Sequence, residues 1–217
     1  MIVTLLVGLL AVLIALSSIP SVQGTGGSYI STWLSGKIGS NVHVGKLKLG
    51  MAGRLILDDI QIYDRDDSLM LNVARMAVKM DFLSLADGCI HINNAQLLSA
   101  NVHLYKHREN DDLNIKYLID AFTDDDTTGN TPDIRVETFI MRRGRVRYDK
   151  YYEPELDGKF SKDHVELSDI AMTVRIGLLS KDSTDITLKH LSLREKCGLH
   201  LRDLQFSMTS NGNGGTL

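Results

Sequence analysis

The strongest constraint on the fold is an eight-residue apolar pattern that recurs along the chain with the same shift of phase. In Leu55–Ile62, read LILDDIQI, two alternating apolar pairs are separated by the two residues Asp58 and Asp59. Each pair has the period of two that a half-buried strand requires. A flat strand would place the two pairs on opposite faces. One extra residue absorbed in a β-bulge, at Asp58 or Asp59, returns all four to one face and bends the strand.

The pattern occurs eight times, which predicts a mainly β protein with one shared apolar face. We predict that its large apolar residues line a groove. They are Val42, Val44, Leu47, Leu49, Leu55, Leu57, Ile60, Ile62, Leu71, Val73, Met76, Val78, Ile90, Ile92, Leu97, Ile134, Val136, Phe139, Met141, Val165, Leu167, Ile170, Met172, Ile186, Leu188, Leu191, Leu193, Leu199, Leu201, Leu204 and Phe206.

A longer repeat contains two of these octets. Leu97 is followed by Ala100, Val102 and Leu104, and Met141 is followed by Gly144, Val146 and Tyr148 at the same offsets. Internal repeats of this kind indicate a repetitive β structure, here a strongly twisted antiparallel sheet curled into a groove. The alternative is an ordinary twisted antiparallel sheet with a packed core.

The N-terminal region, residues 1–24, carries an apolar segment that is long enough to cross a membrane. Ile2–Ile19 has no charged residue, and the first charged side chain of the chain is Lys37. As a helix it would span roughly 27 Å, close to the hydrocarbon core of a bilayer. A membrane anchor and a cleaved signal peptide both fit this segment. Either one directs the rest of the chain out of the cytoplasm.

Three further segments follow this region. Residues 25–122 form a first β block, which begins with an amphipathic helix at Ser28–Gly39 and ends with a helix at Asn114–Phe122. The polar stretch 123–132, TDDDTTGNTP, is a linker, and residues 133–217 form a second β block.

Composition and spacing point away from catalysis and from nucleic acid. The 217 residues have a net charge of −3, with no basic excess for nucleic acid. Cys89 and Cys197 lack the CxxC spacing of zinc and redox sites, and form either one disulfide or two thiols. His103 and His107 fall in a strand, where four residues span about 13 Å and cannot share one ion. We therefore predict no catalytic residues, no metal site and no cofactor.

A basic cluster follows the octet at Ile134–Met141. It contains Arg142, Arg143, Arg145 and Arg147, of which the last three share one face of a regular strand. Such a face either contacts lipid phosphates or is simply a solvated outer surface.

The chain resembles the AsmA-like family, the TamB proteins in particular. The resemblance lies in the apolar anchor, the amphipathic stretch and the segments VHVGKLKLGMAGRLILDDIQIYD, LMLNVARMAVKMDFLSL and CIHINNAQLLSANVHLYK. It covers roughly residues 2–122 well, and the second block less specifically. Family members are several times longer, so the chain looks like an N-terminal portion. The uncharged start departs from the usual basic one.

The resemblance implies a protein anchored in the bacterial inner membrane by one helix, with the bulk of the chain in the periplasm. It implies that the groove conducts phospholipids towards the outer membrane and supports outer-membrane biogenesis. An outer-membrane barrel protein is the partner that it suggests.

Two other functions stay open. One is an assembly module that aids insertion of outer-membrane β proteins by strand addition. The other is a secreted structural or adhesive β-sandwich. An apolar face with only two short helices to cover it must pack on another sheet, close into a barrel or bind something apolar.

Overall fold

The chain is a mainly β protein built around one large sheet, with two short helices. The computed structural model describes residues 28, 31–36, 38–50, 53–81, 89–123, 133–156, 158–179, 183–211 and 214–216. The strands are β1 Val42–Gly50, β2 Arg54–Tyr63, β3 Leu69–Asp81, β4 Cys89–Lys106, β5 Asp133–Val136, β6 Thr138–Lys150, β7 His164–Leu179, β8 Ser183–Glu195, β9 His200–Leu201, β10 Phe206–Asn211 and β11 Gly214–Thr216. Helix α1 includes residues 31–36 and 38, and helix α2 is Lys116–Thr123.

Two segments interpreted from the sequence fall outside the described residues. They are Ile2–Ile19 and residues 124–132, which include nearly all of the linker. Within the described part, no helix is long and apolar enough to span a membrane.

The sheet is open and mixed rather than antiparallel throughout. Its order is β1-β2-β3-β4-β6-β7-β8-β10-β11, with β5 also paired to β4 and β9 to β8. β4 runs parallel to β5 and β6, and the other pairs are antiparallel. The prediction of a purely antiparallel sheet was therefore wrong for β4, which runs parallel to β5 and β6. The 26 residues between β4 and β5, α2 among them, form the crossover that a parallel pair requires.

The register of this parallel pair matches the longer sequence repeat. Ile90 pairs with Ile134 and Ile92 with Val136. Further along, Leu97 pairs with Met141, Val102 with Val146 and Leu104 with Tyr148. Residues that are equivalent in the repeat are thus neighbours in the sheet, so matching side chains on the two strands point to the same face.

Residues with positive φ occupy several positions where the apolar pattern shifts phase. Asp59, Ser99, Arg143 and Asp169 have φ values of 57°, 52°, 54° and 51°. Asp59 separates Leu57 from Ile60, and all four apolar residues of Leu55–Ile62 are buried. The four apolar residues of this octet therefore share one face, as predicted. The register with β1 and β3 advances equally on both strands across Asp59, so Asp59 is a positive-φ kink and not the inserted residue of a bulge that we predicted.

These positive-φ residues and the residues paired beside them form one crease across the sheet. We define the crease as Gly45, Asp59, Ala74, Ser99, Arg143 and Asp169; the registers place the first five at the same level, and Asp169 lies one step further along, opposite Arg145. A Cβ on Gly45 would lie 3.0 Å from the Cβ of Asp59, so glycine allows the close approach in β1. Register shifts mark bulges at Arg143 and Asp169, and these bend β6 and β7 locally.

The crease should lower the free energy of unfolding through its positive φ values, and Ser99, which carries no charge, is the residue at which this can be tested. We expect Ser99→Gly to raise the free energy of unfolding by about 0.5 to 1 kcal/mol, because glycine adopts positive φ without steric cost. Ser99→Val should lower it by about 1 kcal/mol. Urea denaturation measures both. Thr173→Gly in β7, where φ is not positive, is the control and should lose about 1 kcal/mol. A loss of stability in Ser99→Gly would contradict the prediction.

The core lies on the apolar face, and both helices contribute to it. Leu34 and Ile38 of α1 and Leu118 of α2 join the same buried cluster as the strand residues. The Tyr117 hydroxyl donates to the carbonyl of Tyr63 at 2.8 Å, which fixes α2 at the end of β2. The helices predicted at Ser28–Gly39 and Asn114–Phe122 are confirmed at their described residues, although Trp33 is exposed on α1.

The last octet, Leu199–Phe206, is not one strand. β9 has only two residues, and the chain leaves the ladder before β10 begins at Phe206. Leu199, Leu204 and Phe206 are exposed, at 59%, 42% and 44%. The prediction of a regular strand fails here because Arg202–Gln205 is looped out between two segments that both pair with β8.

Candidate functional site

The apolar face changes from closed to open along the order of the strands. In β2, Leu55, Leu57, Ile60 and Ile62 are each at most 2% exposed. In β7 and β8 most of the equivalent residues are only partly buried, and in β9 and β10 the face reaches the surface. The face is therefore a packed core at its β1–β4 side and an accessible apolar surface at its β8–β10 side.

The predicted lining residues divide into groups along this gradient. The buried ones are Val42, Val44, Leu55, Leu57, Ile60, Ile62, Val73, Met76, Val78, Ile92, Leu97, Val136, Phe139, Met141, Ile170 and Leu188. The half-buried ones are Leu47, Leu71, Val165, Leu167, Met172, Ile186, Leu191, Leu193 and Leu201. The side chains of Leu49, Ile90 and Ile134 lie outside the described set.

The open side of the apolar face is lined by aliphatic side chains and by the aromatic ring of Phe206. Phe206 pairs with Leu188, and Met208 with Ile186. The backbone N–H of Leu204 donates to the carbonyl of Leu191 at 2.9 Å, which holds the looped segment against β8. This pairing joins exposed Leu204 and Phe206 to the half-buried residues of β8, so the accessible apolar surface is continuous with the core.

The two edges of the sheet differ in how their backbone groups are satisfied. At the β1 edge, the N–H of Val42 donates to Ser35 Oγ at 2.9 Å, and that of Val44 to Ser31 Oγ at 2.8 Å. These serines are one helical turn apart on α1, so the helix covers the start of the β1 edge. At the other side, β11 pairs with Thr209–Asn211 and not with Phe206–Met208. Covering an edge prevents strand addition there.

A buried carboxylate, Asp149, organises a polar cluster at the end of β6. Its Oδ2 lies 2.9 Å from His103 Nε2 and accepts from Arg147 Nε at 2.6 Å. Its Oδ1 lies 3.0 Å from His164 Nδ1, and His164 Nε2 lies 2.8 Å from the carbonyl of Glu153. Both ring nitrogens of His164 thus face acceptors, which favours the doubly protonated imidazolium.

The charges of this cluster follow from its contacts. Burial raises the pKa of Asp149, but hydrogen bonds from His164, His103 and Arg147 outweigh it, and the pKa lies below its ordinary value. The hydrogen bond to Asp149, with that to Glu153, raises the pKa of His164 above 6.5.

The cluster predicts a loss of stability on the alkaline side. Because the pKa of His164 is raised by folding, its contribution is complete below the ordinary value of 6.5 and disappears as pH rises through the folded value. The Asp149 contribution is complete above 3.8 and is lost as pH falls through its lowered value. We expect the melting temperature to fall as pH rises from the ordinary value of 6.5 through the raised pKa of His164, and this slope to flatten in His164→Gln.

The matched control is His190→Gln, which removes an exposed pair with Asp203. Thermal melts across this pH range should give His190→Gln the wild-type slope. An unchanged slope in His164→Gln would contradict the prediction.

A second buried carboxylate, Asp64, holds the turn between β2 and β3. Its Oδ1 accepts the backbone N–H groups of Asp66 and Ser68, both at 2.9 Å. Its Oδ2 accepts the Tyr105 hydroxyl at 2.5 Å and lies 3.5 Å from Asn114 Nδ2. Burial raises the pKa of Asp64, but the bonds from Tyr105 and the backbone outweigh it, so the pKa lies below its ordinary value. Burial and the same bond raise the pKa of Tyr105.

The four arginines of the basic cluster are exposed, but the regular strand predicted for Arg143, Arg145 and Arg147 is interrupted, because β6 is bulged at Arg143. His103 belongs to the Asp149 cluster, whereas His107 is exposed and 3.7 Å from Asp66. In the part of the chain that the structure describes, no group of three or more His, Cys, Asp or Glu side chains is arranged so that it could hold a metal ion. Cys197 is a free, half-buried thiol.

Sequence reasoning missed the buried carboxylates Asp64 and Asp149. Asp149 and His103 are 46 residues apart, and Asp64 and Tyr105 are 41 apart. Only the strand pairing brings them together. The one local signal was the turn-forming sequence Asp64–Asp67, in which Asp64 binds the backbone two and four residues ahead.

No protein-family model matches this chain, and no curated protein matches it.

Proposed function

We propose that the chain is a periplasmic β-groove protein that binds the acyl chains of phospholipids on its apolar face and passes them towards the outer membrane. In this proposal Ile2–Ile19 is the anchor in the bacterial inner membrane, and the crease curls the sheet into the groove. The observation that carries the proposal is the gradient of burial, from a closed core at β2 to exposed Leu204 in the looped segment and exposed Phe206 at the start of β10.

The chemistry of the accessible surface fits acyl chains. Leu, Ile, Val and Met dominate the face, and only 6% of the chain is aromatic. Flexible tails need a continuous apolar surface rather than a shaped pocket. At about 0.8 kcal/mol per CH₂, two sixteen-carbon tails would cost on the order of 20 kcal/mol or more to expose to water. A surface that shields even part of them lowers the barrier to transfer considerably.

Native mass spectrometry of the full chain, extracted in mild detergent, tests this proposal. We expect co-purified phospholipid on the wild-type protein and its loss in Leu204→Glu/Phe206→Glu. Ser207→Glu is the matched control, because Ser207 lies between Phe206 and Met208 on the same strand, where alternation turns it to the opposite face. No phospholipid on folded wild-type protein, or equal loss in the control, would refute the proposal.

The second candidate is assembly of other β chains by strand addition, and the difference between the two edges favours it. The serines of α1 occupy the N–H groups of Val42 and Val44 at the β1 edge. Among the described strands, none pairs with Phe206–Met208 on the side away from β8. A β peptide that crosslinks at Phe206–Met208 and not at β1 would support this function. A secreted β-sandwich fits less well, because the described strands form one hydrogen-bonded sheet.

A further inference from the structure

The outer face carries a second concave site, which is independent of the apolar face. A cavity of about 420 Å³ lies over β2, β3 and β4 at the end where Arg54 begins β2. Its polar lining residues are Arg54, Arg75, Lys79, Asn93, Asn94 and Gln96. No Asp or Glu is among its described lining residues, although the chain as a whole is acidic.

Two cations face each other directly in this cavity. Arg54 in β2 is the cross-strand partner of Lys79 in β3, and both side chains are exposed. No carboxylate lies within ion-pair distance of either one among the described residues. Like charges at directly opposed positions destabilise an antiparallel pair. An anion bound between them would convert this repulsion into two favourable contacts.

The third cation, Arg75, is held in place and remains partly available. Its Nε donates to Asp58 Oδ1 at 2.6 Å, and Lys48 Nζ donates to Asp58 Oδ2 at 2.8 Å. These two bonds lower the pKa of Asp58 to about 2. Asp58 is thus shared by two cations, and among the described residues it is the one carboxylate within ion-pair distance of Arg75.

The neutral side of the cavity supplies amide donors. Lys79 pairs with Asn94, and Ala77 pairs with Gln96, so the amides of β4 stand beside the cations of β3. Asn and Gln amides donate without adding charge. Guanidinium, ammonium and amide groups around one concavity match an anion with several oxygens, and a guanidinium can bind two oxygens of a phosphate at once.

We propose that this cavity is a binding site for a phosphate group, either free phosphate or the phosphodiester of an anionic phospholipid headgroup. Arg54 and Lys79 hold the anion from two sides, Arg75 adds a third charge, and Asn94 and Gln96 donate from β4. The two sources share the same phosphate oxygens, and they differ in whether apolar tails add to the binding.

Titration of the full chain with inorganic phosphate, followed by NMR at the side-chain amides of Asn94 and Gln96, tests the site. Wild-type protein should show saturable shifts. Arg54→Gln/Lys79→Gln should weaken phosphate binding at least about tenfold, because two charge-assisted hydrogen bonds are lost. Arg142→Gln/Arg145→Gln is the matched control, since it removes two charges from the same face outside the cavity. It should change binding less than about twofold.

A parallel titration with dihexanoyl phosphatidylglycerol distinguishes the two sources. Tighter binding than that of phosphate assigns the site to a headgroup, and equal binding assigns it to free phosphate. Should the double variant fail to fold, Arg54→Lys, which keeps the charge but loses the fork of donors, should still bind phosphate more weakly than wild type. Absence of saturable phosphate binding to wild type, or equal weakening in the control, would overturn the proposal.

Discussion

Ile60→Glu should unfold the protein, although the same change at Phe206 should leave it folded. Ile60 is 2% exposed and lies between Val44 and Val73 in the core, directly after the positive-φ residue Asp59. An unpaired carboxylate there would have no donor to satisfy it, and the effective cost is several kcal/mol. Because folded domains have a free energy of unfolding of only about 5 to 15 kcal/mol, such a loss removes most of the stability.

Far-UV circular dichroism and urea denaturation measure this contrast. Phe206→Glu has the same change in charge, but the side chain is 44% exposed and the carboxylate can remain in water. We expect near-wild-type denaturation for Phe206→Glu and a lost or strongly shifted transition for Ile60→Glu. A stable Ile60→Glu variant would mean that the closed part of the apolar face is accessible, contrary to the gradient described above.

Asp64→Ala should cost about 2 to 4 kcal/mol of stability, the second-largest single effect that we expect. The change removes the acceptor of two backbone N–H groups and of the Tyr105 hydroxyl at a site that is 3% exposed. Tyr105 would then be left buried with an unpaired hydroxyl. Because folding lowers the pKa of Asp64, its contribution is present above 3.8 and fades as pH falls through the folded value.

Asp66→Ala is the control, since it lies in the same turn and removes a carboxylate of the same size. Asp66 is exposed and its pair with exposed His107 spans 3.7 Å, so its loss should change stability by less than about 0.5 kcal/mol. Urea denaturation at neutral pH compares the two variants. Equal losses would show that the Asp64 bonds do not hold the turn.

The kink at Asp59 was predictable from the sequence because it is a local property of the pleat. An apolar pattern that shifts phase between Leu57 and Ile60 can stay on one face only if the backbone leaves the regular pleat there, and the positive φ of Asp59 does this. The same logic locates the bulge at Asp169, whereas the regular alternation predicted for Arg143, Arg145 and Arg147 overlooked the bulge at Arg143. The crease was not predictable, because it depends on how neighbouring strands align.

The parallel pair and the polar clusters could not be predicted from local sequence patterns. The repeat identified Ile90 and Ile134 as equivalent, yet equivalence alone does not say that they are neighbours in the sheet. The direction of β6 depends on the crossover through α2. The carboxylates Asp64 and Asp149 are buried by contacts 41 and 46 residues away, which no local pattern encodes.

The gradient of burial could not be predicted from the sequence either. Ile62 and Phe206 occupy the same position in their octets, but Ile62 is enclosed and Phe206 is at the surface. The difference arises because α1 and α2 pack on the side of the sheet near β1 and β2, whereas β9 and β10 are short and interrupted. Which lining residues are accessible therefore follows from tertiary structure alone.

The most direct test of the proposed function is site-specific photo-crosslinking of the full chain in its native membrane, with a photoreactive residue at Phe206, Ile60 or Arg202. We predict phospholipid adducts at Phe206 on the open side of the apolar face. No adducts should form at Ile60, because it is enclosed. None should form at Arg202 either; this exposed residue of the looped segment tests whether exposure alone causes labelling. Absence of phospholipid adducts at Phe206 in folded protein, or equal labelling at Arg202, would contradict the account of the apolar face as a lipid-binding groove.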